Sequence, residues 1–192
     1  MLIKNIAKKI VGPVFVLLLI SGGVFYWQNN QKDIQALNKI LPAGVKVAKN
    51  LFGFGNEYKV INKIDGYEFK VPSAWKGVKE ISYIAEREEK GYKGTSINII
   101  GLKGKTTGVG VDKFETEKGV ALENWAKNMF DMVGLVGEFV NDKIENSEVL
   151  KVQENIHLSG MYMYFIKKDN SIYTITGGSE EFIREIISNG KW

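Results

Sequence analysis

Cysteine and histidine carry much of the nucleophilic, metal and acid–base chemistry of proteins, and this chain has no Cys and one His. His157 would have to be the base of any Ser–His–acid triad, yet no serine stands in a G-x-S-x-G elbow. A single His without Cys argues against a zinc site. The lack of Cys excludes disulfides, a Cys nucleophile and an acylated Cys. Gly104-Lys105-Thr106 matches the end of a phosphate-binding loop, but that loop needs a Gly where Ile99 stands. Gly108-Val109-Gly110 lacks the third Gly of a dinucleotide fingerprint. Asp112, Glu115 and Glu117 could gather around Ca²⁺, as could Glu86, Glu88 and Glu89, but neither set has the spacing of an EF-hand loop. The alternation of Glu86 and Glu88 fits the wet face of a strand. The sequence thus assigns no catalytic, cofactor-binding or metal-binding residue.

Three aromatic residues are candidates for recognition instead. Trp75 follows Pro72 in a turn, where exposing an indole is costly. It either packs over the edge of a core or anchors a partner, as Trp does in interface hot spots. Phe52 and Phe54 stand in Leu51-Phe52-Gly53-Phe54-Gly55, too apolar for a solvated spacer. The expectation is that both bury against the neighbouring domain; a membrane surface or a protein partner are the alternatives.

The elements that must position these residues begin with Ile10–Trp27, eighteen residues without a charge. As a helix it would span ~27 Å, close to the hydrocarbon thickness of a bilayer. Lys4, Lys8 and Lys9 precede it, and Phe25, Tyr26 and Trp27 close it at interface depth. A cleaved signal peptide is the rival reading, with Ser21-Gly22-Gly23 as a small-x-small site. Either way the rest of the chain is exported. The positive-inside rule puts the N-terminus in the cytoplasm and the C-terminal domain outside it. The net charge is +4, of which those lysines supply three, leaving +1 for residues 28–192. A near-neutral domain argues against nucleic-acid binding.

The expected organisation is a basic tail (1–9), a transmembrane anchor (10–27), a juxtamembrane helix and apolar linker (28–56) and a folded domain (57–192). Ile34, Leu37 and Leu41 share a helical face that Pro42-Ala43-Gly44 ends. Val45, Ala48 and Leu51 could line a short helix within the linker. Strands are expected at Tyr58–Ile64 and Gly66–Val71, joined at Asp65-Gly66, and at Val78–Arg87 and Thr95–Leu102. Gly101–Gly110 reads as a loop. Val120–Val133 reads as a helix burying Leu122, Trp125, Met129 and Met132, with Gly134 ending it. Asn141–Ser147 reads as a polar turn. Asn155–Lys167 reads as a central strand apolar on both faces, turning at Asp169-Asn170 into Ser171–Thr176. Ser179 caps a last helix that buries Phe182, Ile183, Ile186 and Ile187. Helices and a mainly antiparallel sheet give an α+β domain, as an α/β/α sandwich or as two layers if one face stays wet.

Gly66–Gly77 (G-Y-E-F-K-V-P-S-A-W-K-G) and Tyr173–Ile187 (Y-T-I-T-G-G-S-E-E-F-I-R-E-I-I) resemble the opening strand and turn and the closing strand and helix of PsbP-like domains. The likeness covers roughly Tyr58–Trp192 and is greatest to small membrane-anchored bacterial PsbP-related proteins. It implies an α/β/α sandwich with a central antiparallel sheet. It implies protein binding as a shared theme and no shared chemistry, and it carries over no ion- or partner-binding residue. The expected function is a non-enzymatic, membrane-tethered extracytoplasmic module that binds a protein and serves an envelope complex. The alternative is an enzyme or a small-ligand or ion-binding protein with a site in the sheet cleft.

Overall fold

The computed structural model describes residues 32–49, 57–75, 77–89, 92–101, 108–153 and 160–192. The expected anchor, with Lys8, Lys9, Phe25, Tyr26 and Trp27, lies outside the described residues, as do Phe52, Phe54 and His157. Among the described residues no helix is long and apolar enough to cross a membrane. The chain divides into two units, Met1–Lys39 and Ile40–Trp192. In the first, residues 32–39 form a helix (α1), so Leu41 stands beyond its end.

The second unit is α+β. A three-stranded antiparallel sheet joins β1 (Val45–Lys49), β2 (Tyr58–Asn62) and β3 (Tyr67–Lys70). β1 corrects two expectations, because Val45–Lys49 is a strand rather than a helical linker and belongs to the folded unit. Val45 and Val47 alternate with Lys46 and are buried, and that period of two prevails over the helical spacing of Val45, Ala48 and Leu51. The turn between β2 and β3 forms where Asp65-Gly66 predicts it, with Gly66 at φ 80°.

The larger sheet has seven antiparallel strands in the order β4-β5-β6-β10-β9-β8-β7. They are β4 (Val78–Glu89), β5 (Tyr92–Gly101), β6 (Gly108–Glu115), β7 (Glu138–Ile144), β8 (Ser147–Gln153), β9 (Tyr162–Lys168) and β10 (Ser171–Gly177). The sequence reading missed β6 because its glycines suggest a loop. Gly110 is there for close approach, since a Cβ would come within 3.0 Å of Thr176 Oγ1 and 3.1 Å of Asn98 Oδ1 on the flanking strands. The polar segment Asn141–Ser147 is not a turn. It runs along edge strand β7 to a tight turn at Glu145-Asn146, where Glu145 takes φ 51°. An edge strand keeps one side in water, so its sequence is polar.

Helix α2 (Leu122–Val133) lies on one face of this sheet. Trp125, Ala126 and Phe130 pack with Phe114, Leu150, Val152, Met163, Phe165 and Ile172. The expected stripe is rotated: Ala126 and Phe130 are buried, whereas Met132 is 42% exposed. Gly134 ends the helix in the left-handed region at φ 72°. Helix α3 (Glu180–Asn189) buries Ile183, Ile186 and Ile187 on the other face, and the Ser179 side chain accepts from Phe182 N. The three-stranded sheet shares that second face. Tyr67 meets Tyr173 edge-on at 5.7 Å, and Trp192 stacks on Tyr67 and Phe69. Burial on both faces explains why Met163 to Ile166 on β9 are all core.

Candidate functional site

Trp75 is 1% exposed. Its ring meets Phe182 of α3 edge-on at 5.8 Å and covers Gly101, where any Cβ would run into the indole. The turn that carries it is tied to α3 by Ser73 N donating to Glu185 Oε1 at 2.8 Å. Of its two expected roles, the ring's position is that of core packing, and it presents no face to a partner. Its Nε1–H has no hydrogen-bond acceptor among the described residues.

The first candidate metal set does not assemble, and the side chains of Glu88 and Glu89 in the second lie outside the described residues. By strand alternation Asp112 and Glu115 on β6 lie on opposite faces of the sheet. Among the described residues no three His, Cys, Asp or Glu side chains converge as metal ligands would.

A cleft of ≈ 870 Å³ opens at the end of the large sheet where β4 bulges between Ile84 and Arg87. β4 contributes Ala85 and Glu86, β5 contributes Tyr92 to Thr95, and β6 contributes Lys113 and Glu115. Thr116, Glu117 and Val120 follow β6, Trp125 projects from α2, and Asp65 comes from the β2–β3 turn. Tyr92 meets the Trp125 ring edge-on at 5.0 Å and makes an aromatic wall continuous with the core. Gly94 lets β6 come close, since a Cβ there would strike the Lys113 carbonyl.

The β2–β3 turn that brings Asp65 to the cleft is held by hydrogen bonds. Asn62 Oδ1 accepts from the backbone N–H of Ile64 and Asp65, each at 3.1 Å, and Asn62 Nδ2 donates to Asp65 Oδ2. Lys113 Nζ donates to the Asp65 carbonyl at 3.1 Å. Asp65 is therefore 7% exposed without being abandoned. Burial, and then the Asp65 carboxylate, push the Tyr83 phenol up to about 12. Burial also raises Tyr92, Tyr67 and Tyr173. These phenols stay protonated at neutral pH, and of the four only Tyr92 lines the cleft.

The rim is different. Glu86, Glu115 and Glu117 are exposed and form no ion pair among the described residues. Thr116 N donates to the Asn170 carbonyl at 2.8 Å, but Thr116 Oγ1 is buried with no hydrogen-bond partner among the described residues. Sequence reasoning offered a site in the sheet cleft as its alternative but weighed Glu115 and Glu117 only with Asp112, and so did not find the residues that line this cleft. Its walls come from positions 65 to 125, and only the pairing of β4, β5 and β6 brings them together.

A second charged constellation locks α3 to the sheet. Lys151 Nζ reaches Glu180 Oε1 at 2.7 Å, Tyr164 OH donates to the same oxygen at 2.6 Å, and Arg184 reaches Asp142 at 2.5 Å. Lys151 and then Tyr164 hold Glu180 below the usual carboxylate range. Burial raises Asp142, but Arg184 and the Lys143 N–H outweigh it and leave that carboxyl lowered. Burial, and then Glu180, raise Tyr164. Every charge here has its partner.

No family model, curated protein or solved structure matches this chain.

Proposed function

We propose that the chain is a membrane-tethered, non-enzymatic binding module that works outside the cytoplasm, in the assembly or maintenance of an envelope complex. The observation that carries this reading is the charge-free run of residues 10–27, preceded by lysines and followed by a folded unit. The folded unit adds a recess with an aromatic wall of Tyr92 and Trp125. The proposal includes the organisation into tail (1–9), anchor (10–27) and juxtamembrane segment, with the folded domain now starting at residue 40. It also includes the α/β/α sandwich and a PsbP-like kinship, which rest on the Gly66–Gly77 and Tyr173–Ile187 segments. Phe52 and Phe54 belong to it as contacts to the domain, the membrane or a partner.

A phosphatase that works only after export, fused after Trp192, is expected to be active. Activity of a cytoplasm-only reporter at that position overturns the reading. The cleft itself favours a second reading, a small-ligand protein or an enzyme with its site there, since ≈ 870 Å³ lies within the range of ligand pockets. A ligand that raises the melting temperature of the full chain and is then chemically turned over would establish that reading in place of the first.

A further inference from the structure

We infer that the tip of the three-stranded sheet, made by Ile40 to Gly44 and the β2–β3 turn, docks on the headgroup surface of an anionic lipid bilayer. The inference rests on the tethered-module reading and goes beyond it, because it says which end of the folded unit meets the membrane.

The tip is braced from within and presents apolar side chains to water. Asn62 Oδ1 accepts from the backbone N–H of Ile64 and Asp65, and Lys113 Nζ donates to the Asp65 carbonyl. Lys63 N donates to the Gly44 carbonyl at 2.8 Å, and Val45 N to the Pro42 carbonyl at 3.0 Å. These bonds run through the backbone and the Asn62 side chain, and none of them calls for an apolar residue at position 64. Ile64 is nevertheless 50% exposed there, and Ile40 is 69% exposed. Gly44 seats the chain against the turn, since a Cβ there would come within 3.1 Å of Ile64 Cγ1. Pro42 and Ala43, which lead from Ile40 into Gly44, are exposed as well. A single exposed Ile needs no explanation, but here the exposed residues follow one another at one tip.

The charge around the tip selects an anionic surface. The acids of this sheet are taken up: Glu57 pairs with Lys70, Glu68 pairs with Lys59 and Lys191, and Asp65 is buried beside Asn62. Lys46 and Lys63 are exposed and form no ion pair among the described residues. Residues 40–46 and 61–64 contain these two lysines and no acid. Apolar side chains beside lysines are what an interfacial membrane contact uses. Met132 and Val136 are exposed too, but they flank the α2–β7 connection, where exposed Asp131 and Glu138 would repel anionic headgroups. The chain permits the contact. Of residues 28–39, which separate Trp27 from Ile40, 32–39 are helical, so Ile40 lies at most ~30 Å of chain from the end of the expected anchor. Such a tether keeps the tip at high effective concentration over the bilayer, and a weak contact suffices.

Because the chain has no Cys, a nitroxide attached at Ala43→Cys or at Glu138→Cys reports from one place only. Glu138 is the reference, on edge strand β7, four strands from β6. The full chain is placed in nanodiscs of phosphatidylcholine, with or without about one third phosphatidylglycerol. Collisions of each nitroxide with oxygen and with a water-soluble nickel chelate are then measured. In the anionic nanodiscs position 43 is expected to be open to oxygen and shielded from nickel, and position 138 the reverse. Ile40→Ser with Ile64→Ser should return position 43 to water, with an unchanged melting temperature showing the fold intact. Lys46→Gln with Lys63→Gln should lower the ratio of docked to free tip roughly tenfold or more, since each lysine near an anionic surface is worth roughly fivefold. The inference is overturned if position 43 is as open to nickel as position 138 in the anionic nanodiscs, or if the serine pair leaves its shielding in place. Shielding that ignores phosphatidylglycerol and arises only in nanodiscs holding two copies would mean that a second copy covers the tip, and overturns it too. Absence of the chain from the nanodisc fraction sinks the tethered-module reading and the docking with it. A chain that enters the nanodiscs with a nickel-open tip sinks the docking alone.

Discussion

Around α3, Arg184 meets Asp142 at 2.5 Å and Lys151 meets Glu180 at 2.7 Å, while around the cleft Glu86, Glu115 and Glu117 meet no cation among the described residues. Both regions sit on the large sheet, and both mix carboxylates, lysines and tyrosines. At α3 the charges hold a helix to β7, β8 and β9, so their energy is already spent within the fold. At the cleft Glu86, Glu115 and Glu117 stay exposed to water and tie no helix to the sheet. The contrast is between a partnered cluster, whose carboxyls Asp142 and Glu180 are held low, and an exposed rim whose carboxylates have no ion-pair partner among the described residues. It can be broken by making the two regions respond alike.

The largest effect is expected where the cleft borders the core. Trp125 is 6% exposed and packs at 5.0 Å from Tyr92, 5.3 Å from Phe114 and 6.2 Å from Phe165. Trp125→Ala should cost roughly 3–5 kcal/mol in urea unfolding, the usual range for deleting a buried indole. A cost below ~1 kcal/mol would mean that the wall is a movable flap rather than part of the core.

That wall also marks the limit of what the sequence makes legible. Local signals with one reading predict their elements well. Asp65-Gly66 places the β2–β3 hairpin, Asp169-Asn170 places the β9–β10 turn with Asp169 at φ 53°, and Ser179 places the start of α3. Val45-Lys46-Val47-Ala48-Lys49 fits both a strand and a helical turn, and only pairing with β2 decides between them. Gly110 suggests a loop until the neighbouring Asn98 and Thr176 are seen to need the space. The β7–β8 hairpin is hidden because an edge strand is polar by necessity. The cleft is hidden for a stronger reason. Asp65, Tyr92, Glu115 and Trp125 share no spacing rule, and the pairing of Asp112 with Glu115 as ligands fails on the alternation of one strand.

A smaller effect is expected at α3, where the charges are partnered but partly exposed, with side-chain exposures of 40% for Arg184 and 29% for Asp142. Arg184→Met removes the Asp142 contact and a 3.4 Å contact to Tyr164 OH. Discounted for solvent screening, it should cost about 1 kcal/mol. The same variant should change the response to acid. Asp142 and Glu180 have folded pKa values below their ordinary 3.8 and 4.5. Their contribution is thus fully present above those ordinary values and is lost as pH falls through the lower folded ones. Melting temperature measured from pH 6 downward should begin to fall near about pH 4.5, and Arg184→Met should flatten that fall. An equally steep acid limb in the variant would mean that other carboxylates carry it and that the α3 cluster is no lock.

The smallest effect is expected at the cleft rim, and the contrast depends on its being small. Glu115 and Glu117 are two residues apart, share the rim with Glu86, and gain no ion pair among the described residues. Neutralising both as Glu115→Gln and Glu117→Gln removes repulsion and deletes no partnered contact. Unfolding free energy should therefore stay within ~0.5 kcal/mol of the parent, with a gain more natural than a loss. Any gain should shrink in 0.5 M salt, because repulsion between exposed charges is screened. Glu180→Gln is the matched control. It removes one charge of the same type, yet it should lose stability, because Lys151 and Tyr164 are left facing a neutral amide. If the rim double variant loses as much as Glu180→Gln, the rim carboxylates are structural too. The difference between the two regions would then be one of exposure alone.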